Sequence, residues 1–126
     1  MLKNAPVSVV LPATDLERAK KFYTEKLGLT ESASQEPGGA MFDCGEGSKL
    51  YVYKRAPVKV EHTQANFMVE DIEAEIKDLR GRGVVFEEYD FPGLKTVNGV
   101  ATMGKGFKAA WFKDSEGNIL ALGQSS

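Results

Sequence analysis

Residues 7–29 read VSVVLPATDLERAKKFYTEKLGL, and they set the pattern for the whole chain. Val7-Ser8-Val9-Val10-Leu11 is a β-rich run that leads to Thr14-Asp15. Leu16, Ala19, Phe22, Tyr23 and Leu27 then recur at helical spacing before Gly28. The same punctuation returns further on. Ala65-Asn66-Phe67-Met68-Val69 leads to Asp71, Ile72, Ile76 and Leu79 fall on one helical stripe, and Gly81 and Gly83 end it. Thr14 or Asp15, and Glu70 or Asp71, stand where a side-chain oxygen accepts from the free N–H groups of a first helical turn. A unit that recurs once in this way predicts a duplicated supersecondary module.

Strand-like segments follow each helix. They are Leu29 to Ser34, Gly39 to Cys44 and Lys49 to Tyr53 in the first half, and Val84 to Tyr89, Phe107 to Lys113 and Ile119 to Leu122 in the second. Each half therefore reads β-α-β-β-β. The expected fold is α+β, a single domain over residues 1–126 with half-repeats at about 1–56 and 60–126. Arg55-Ala56-Pro57-Val58-Lys59 is the expected linker, since Pro57 interrupts strand pairing. The halves differ most over residues 91–106, where Pro92, Gly93, Asn98, Gly99, Gly104 and Gly106 predict an irregular loop or long hairpin and a candidate lid.

Bulk properties narrow the function classes. The chain has 126 residues, 42% hydrophobic and 27% charged, which is ordinary globular composition. A net charge of -2 with both signs interspersed provides no basic stripe for phosphates, so nucleic acid is excluded as an expected partner. No apolar run approaches the roughly 20 residues that cross a bilayer, and no signal-like segment opens the chain, so a soluble, unprocessed protein without a membrane partner is expected. The lone Cys44 has no intramolecular disulfide partner, which points to a cytoplasmic location. With no His nearby, Cys44 reads as an inert thiol.

Alternation along the strands separates two faces. Val7, Val9 and Leu11, Leu50 and Val52, Ala65, Phe67 and Val69, and Leu120 and Leu122 form apolar sets suited to lie beneath helices. The opposite face carries Ser8 and Val10, Lys49, Tyr51 and Tyr53, His62, Gln64, Asn66 and Met68, and Ile119, Ala121 and Gly123. Aromatic, amide and small side chains together suit a ligand-lined concavity; a solvated face or a dimer seam is the alternative.

The segment from Leu11 through Ala19, then Phe22-Tyr23 and Leu27-Gly28-Leu29, and the stretch Ala110-Trp111-Phe112-Lys113-Asp114-Ser115-Glu116-Gly117-Asn118-Ile119-Leu120, resemble the vicinal oxygen chelate superfamily. This is the glyoxalase, bleomycin-resistance and extradiol-dioxygenase fold, and the second motif departs from its usual turn in having Ser115 where Pro is common. The resemblance implies two βαβββ modules forming a curled mixed sheet around a central cleft, with helices outside. It implies metal ligands on the first and last strand of each module, chelating neighbouring substrate oxygens. Counting seven residues back from Asp15 and Asp71, and four past Gly47 and Gly117, those positions are Ser8, Gln64, Tyr51 and Ala121. None is a strong ligand for a divalent ion.

The expected function is accordingly a small-molecule binding protein of the bleomycin-resistance type without metal or other cofactor. Its candidate ligand-binding residues are Ser8, Tyr51, Tyr53, Gln64, Asn66, Met68, Trp111 and Ala121, and its ligand is partly aromatic. Two other classes stay open. One is an enzyme of the glyoxalase or dioxygenase kind, with an unconventional divalent-metal site or with His62, Asp43, Glu87 or Glu88 as base. The other is a non-catalytic subunit or regulator. A homodimer is expected in any of the three.

Overall fold

The computed structural model describes residues 2–32 and 37–125. The chain divides into two compact units, Met1–Lys59 and Val60–Ser126. The boundary falls at the end of the segment that holds Pro57.

The first unit begins with β1 (Ser8–Ala13) and α1 (Leu16–Lys21). The Asp15 carboxylate accepts from the Arg18 N–H at 3.0 Å and caps that helix. The backbone widens into a π-helical turn at Phe22–Lys26, and Gly28, at φ 72, ends it. β2 (Thr30–Glu31), β3 (Gly39–Asp43) and β4 (Lys49–Lys54) complete a sheet of order β1-β4-β3-β2, in which only β1 and β4 run parallel. The expected strand from Leu29 to Ser34 is thus only two residues long among the described ones, and its residues 33 and 34 lie outside them.

One face of this sheet is the core. Leu11, Phe42, Leu50 and Val52 are essentially fully buried, and Ala19 and Tyr23 cover them, with the Tyr23 and Phe42 rings 5.6 Å apart. Burying side chains of this size contributes on the order of 1.5–3 kcal/mol each. Val7 does not belong to this set. It precedes β1 and is 84% exposed, because no paired strand reaches it.

The second unit repeats the plan with β5 (Thr63–Met68), α2 (Ile72–Gly81), β8 (Ala101–Thr102), β9 (Lys108–Lys113) and β10 (Ile119–Gln124), in the order β5-β10-β9-β8. The β5–β10 pair is again the parallel one. Asp71 caps α2 by accepting from Ala74 N–H at 3.1 Å, and Ile72, Ile76 and Leu79 are buried at i, i+4 and i+7. Gln124 Oε1 accepts from Ile72 N–H at 2.7 Å, tying the last strand to the first turn of the helix.

One expectation needs correction here. Val84 to Tyr89 is not a regular strand. It makes one antiparallel bridge, Phe86 to Phe112, and the sheet edge is β8. Over residues 91–106 the hairpin alternative holds in short form, with β6 (Asp90–Phe91) and β7 (Leu94–Lys95) paired, followed by a Val97–Val100 bridge and β8 itself.

Candidate functional site

Each sheet has a second face, opposite its helix. In the first unit β1, β4 and β3 put Ser8, Val10, Tyr51, Tyr53, Gly39 and Met41 there, in the rows Val10–Tyr51–Met41 and Pro12–Tyr53–Gly39. An ideal Cβ built on Gly39 would lie 2.0 Å from the Tyr51 hydroxyl oxygen and 2.5 Å from its Cζ. The hydroxyl end of the phenol therefore sits over β3 in space that only a glycine leaves open. Tyr53 is half-buried, and its hydroxyl accepts from Arg55 Nη1 at 3.3 Å. Ser8 opens β1 opposite Lys49 and is exposed, while Lys49 pairs with Asp43. That ion pair, with a hydrogen bond from Ser32, holds the Asp43 carboxyl below its usual range. Burial pushes the Cys44 thiol above its ordinary range.

In the second unit a β-bulge changes the expected faces. Ile119 pairs with Thr63 and Leu120 with Ala65, so one residue of β10 spans two of β5 and Gln64 is the extra one. Thr63, not Gln64, joins Asn66 and Met68 on the face opposite α2. His62 precedes the strand and is exposed.

Gln64 turns instead toward the β9–β10 turn. Its Nε2 donates to Asn118 Oδ1 at 3.1 Å and its Oε1 accepts from Ile119 N–H at 3.0 Å. Asn118 is 1% exposed, and its backbone N–H and side-chain Nδ2 each donate to the Asp114 carboxylate at 2.8 Å. Glu116 N–H donates to the same carboxylate at 2.8 Å. Gly117, at φ 87, makes the reversal. The motif that carries the family resemblance is therefore a structural latch, and Gln64 belongs to it.

The remaining predicted residues do come together on this face. Trp111, Ala121 and Asn66 form one cross-strand row, and Ala109, Gly123 and Met68 the next. Trp111 Nε1 donates to Thr63 Oγ1 at 3.1 Å. Tyr89 packs edge-on against Trp111 at 5.5 Å between centroids, and Phe91 against Tyr89 at 5.9 Å. Burial first, and then the neighbouring Glu87, raise the Tyr89 phenol above its usual range. Thr63 was not legible in the sequence because a bulge is invisible to strict alternation, and Tyr89 and Phe91 because their ring contacts depend on tertiary packing. The spacing of 87, 89 and 91 beside the aromatic-rich β9 was the available signal.

The four positions at which the resemblance implies metal ligands do not fit a divalent ion. Ala121 has no donor atom, and both ends of the Gln64 amide are engaged in the latch. Among the described residues no group of three or more His, Cys, Asp or Glu side chains is placed to hold one.

The architecture is that of several solved structures. A glyoxalase/bleomycin resistance protein from Catenulispora acidiphila superposes with a TM-score of 0.72 at 21% identity, over 96% of this chain and 98% of that one. TnmS3, an antibiotic binding protein from a Streptomyces species, gives 0.70 at 23% identity over 100% and 99%. A lactoylglutathione lyase from Agrobacterium tumefaciens gives 0.68 at 20% over 98% and 96%. Residues 7–45 match the family described as bleomycin resistance protein-like N-terminal. The matched segment and the shared fold are what this chain has in common with proteins named glyoxalase and bleomycin resistance protein. The comparison with curated proteins returned no match.

Proposed function

We propose that this chain is a small-molecule binding protein of the bleomycin-resistance-like type, which holds a partly aromatic ligand without a metal ion. The observation that carries the reading is the fate of Gln64. The amide at an expected ligand position is consumed by the Asn118 latch, while Trp111, Ala121, Asn66 and Met68 remain on the face beside it. Tyr51, Tyr53 and Ser8 hold the corresponding places in the first half. Stacking and shape supply the affinity of such a site, and one or two amide or hydroxyl groups orient the guest.

The neighbour named as an antibiotic binding protein has the same fold and is consistent with this use of it. The lyase neighbour has the fold as well, so the fold alone does not decide between binding and catalysis, and the donor set favours binding. A homodimer in the cytoplasm completes the proposal. Val10, 53% exposed, and Met68, 58% exposed, are the apolar side chains on these faces that a second copy would cover. Among the described residues no helix is long and apolar enough to cross a membrane.

A melting-temperature screen of untagged protein against an aromatic library tests the reading. Ligand that binds only the folded chain must raise the transition. A library that raises it nowhere contradicts the proposal.

A further inference from the structure

A cavity of about 330 Å³ lies on the α2 side of the second unit, on the opposite side of the sheet from the face described above. The helix lines it with Ile76, Lys77 and Arg80, and the turn at 97–100 with Val97, Asn98 and Val100. Glu73, one helical turn before Lys77, completes the lining.

We infer that this cavity is a second binding site, separate from the sheet face, for a small monoanion with an aliphatic body, such as a medium-chain monocarboxylate. Its anionic group meets Lys77 and Arg80, and its chain lies against Ile76, Val97 and Val100. Three observations carry this.

The cleft is preformed. Val97 and Val100 exchange backbone hydrogen bonds of 2.8 and 3.1 Å around Asn98 and Gly99, whose φ values of 53 and 83 are those of a tight primed turn. Gly99 N–H donates to Glu88 Oε1 at 3.1 Å, and the Thr96 hydroxyl donates to the same oxygen. Arg80 Nη2 donates to the Asn98 carbonyl at 3.2 Å, and its guanidinium carbon lies 5.6 Å from the centre of the Phe86 ring. Helix and turn are thereby tied together, so a guest loses little affinity to ordering the walls.

The charges around the cavity leave one over. Glu73 accepts from Lys108 at 3.0 Å, and the Glu88 carboxylate feels the charge of Arg80. Lys77 has no ion-pair or hydrogen-bond partner among the described residues. With Glu73 set against Lys108 and Glu88 against Arg80, the remaining charge is that of Lys77, which matches a single negative charge on the guest.

The apolar part of the lining is aliphatic. Val97 is 67% exposed although its turn is held in place, and Ile76 beside it is buried. A hydrocarbon chain laid there removes apolar surface from water. A volume at the small end of ligand cavities suits a chain of about eight carbons.

The experiment is a nitrogen–proton NMR titration of the isotopically labelled full chain with sodium octanoate, with octanol and octylammonium chloride as controls. Octanoate is expected to give saturable shifts at the amides of Lys77, Arg80 and residues 97–100, with octanol weaker and octylammonium without effect there. Lys77→Gln should weaken octanoate binding about fivefold to tenfold, the loss of one charge-assisted contact, and Lys77→Arg should retain it. Val97→Ser, at an exposed position, should weaken it about threefold through lost apolar contact. Octylammonium binding as tightly as octanoate, shifts confined to the sheet face around Trp111, or Lys77→Gln binding as the parent does overturns the inference. No saturable shift does the same, and each of these leaves the sheet-face reading standing. A peptide ending in a leucine carboxylate that binds there more tightly than octanoate overturns the small-molecule class in favour of a protein C-terminus.

Discussion

The side-chain amide of Gln64 reaches across 54 positions of sequence to Asn118, donating at 3.1 Å, and its carbonyl takes the N–H of the next residue, Ile119. This bond joins the bulged start of β5 to the turn that launches β10. It also explains why a position expected to face ligand does not do so. Gln64→Ala removes the donor to the buried Asn118 oxygen and the acceptor of the Ile119 N–H. It should cost about 2–3 kcal/mol, read as a shift of the urea midpoint at unchanged slope. Gln64→His should be destabilised as well and should gain no affinity for zinc or nickel, which calorimetric titration would reveal.

Asp114 is the other end of the latch, where one carboxylate collects three N–H groups. Asp114→Ala is expected to lose about 2–4 kcal/mol, more than an average surface substitution. Amide exchange should speed up locally at Glu116 and Asn118 if the turn is what the carboxylate holds.

Gly39 is retained for space. A methyl group there has to displace the Tyr51 hydroxyl, so Gly39→Ala should cost about 1–3 kcal/mol through overpacking. In the double variant Gly39→Ala/Tyr51→Leu the phenol that clashes is gone, and much of that cost should be recovered. A double-mutant cycle on thermal or urea unfolding checks this.

Glu88 gives a pH dependence with a definite sign. The Thr96 hydroxyl, and then the Gly99 N–H, bond its carboxylate and lower its pKa from the ordinary 4.5. A depressed carboxyl contributes stability above its unfolded value, and that contribution disappears as pH falls through the folded one. The difference in melting temperature between the parent and Glu88→Gln should therefore be constant above about pH 5 and should narrow below about 4.5. A gap that widens on acidification would contradict this assignment.

Much of the fold was legible because periodicity is a local signal. Leu16, Ala19 and Tyr23, and Ile72, Ile76 and Leu79, announce two helices, and Asp15 and Asp71 announce where each begins. The parallel pairing of first and last strand in each half is written in no local pattern and was found only in the structure. The site was less legible for two physical reasons. The bulge at Gln64 reverses side-chain direction, so counting by twos carried Gln64 to the wrong face while hiding Thr63. Val84 to Tyr89, expected as a strand, makes a single bridge, and the short β8, at Ala101–Thr102, forms the sheet edge. Tyr89 meets Trp111 and Phe91 meets Tyr89, contacts that depend on tertiary packing.

The most direct test of metal-independent binding is the melting temperature of untagged protein with an aromatic ligand, compared in the presence of a chelator and after loading with nickel, zinc, manganese or iron. The predicted result is the same ligand-dependent rise in every case. A rise that vanishes with chelator and returns with one metal would contradict the account and direct attention to a ligand set other than Ser8, Tyr51, Gln64 and Ala121.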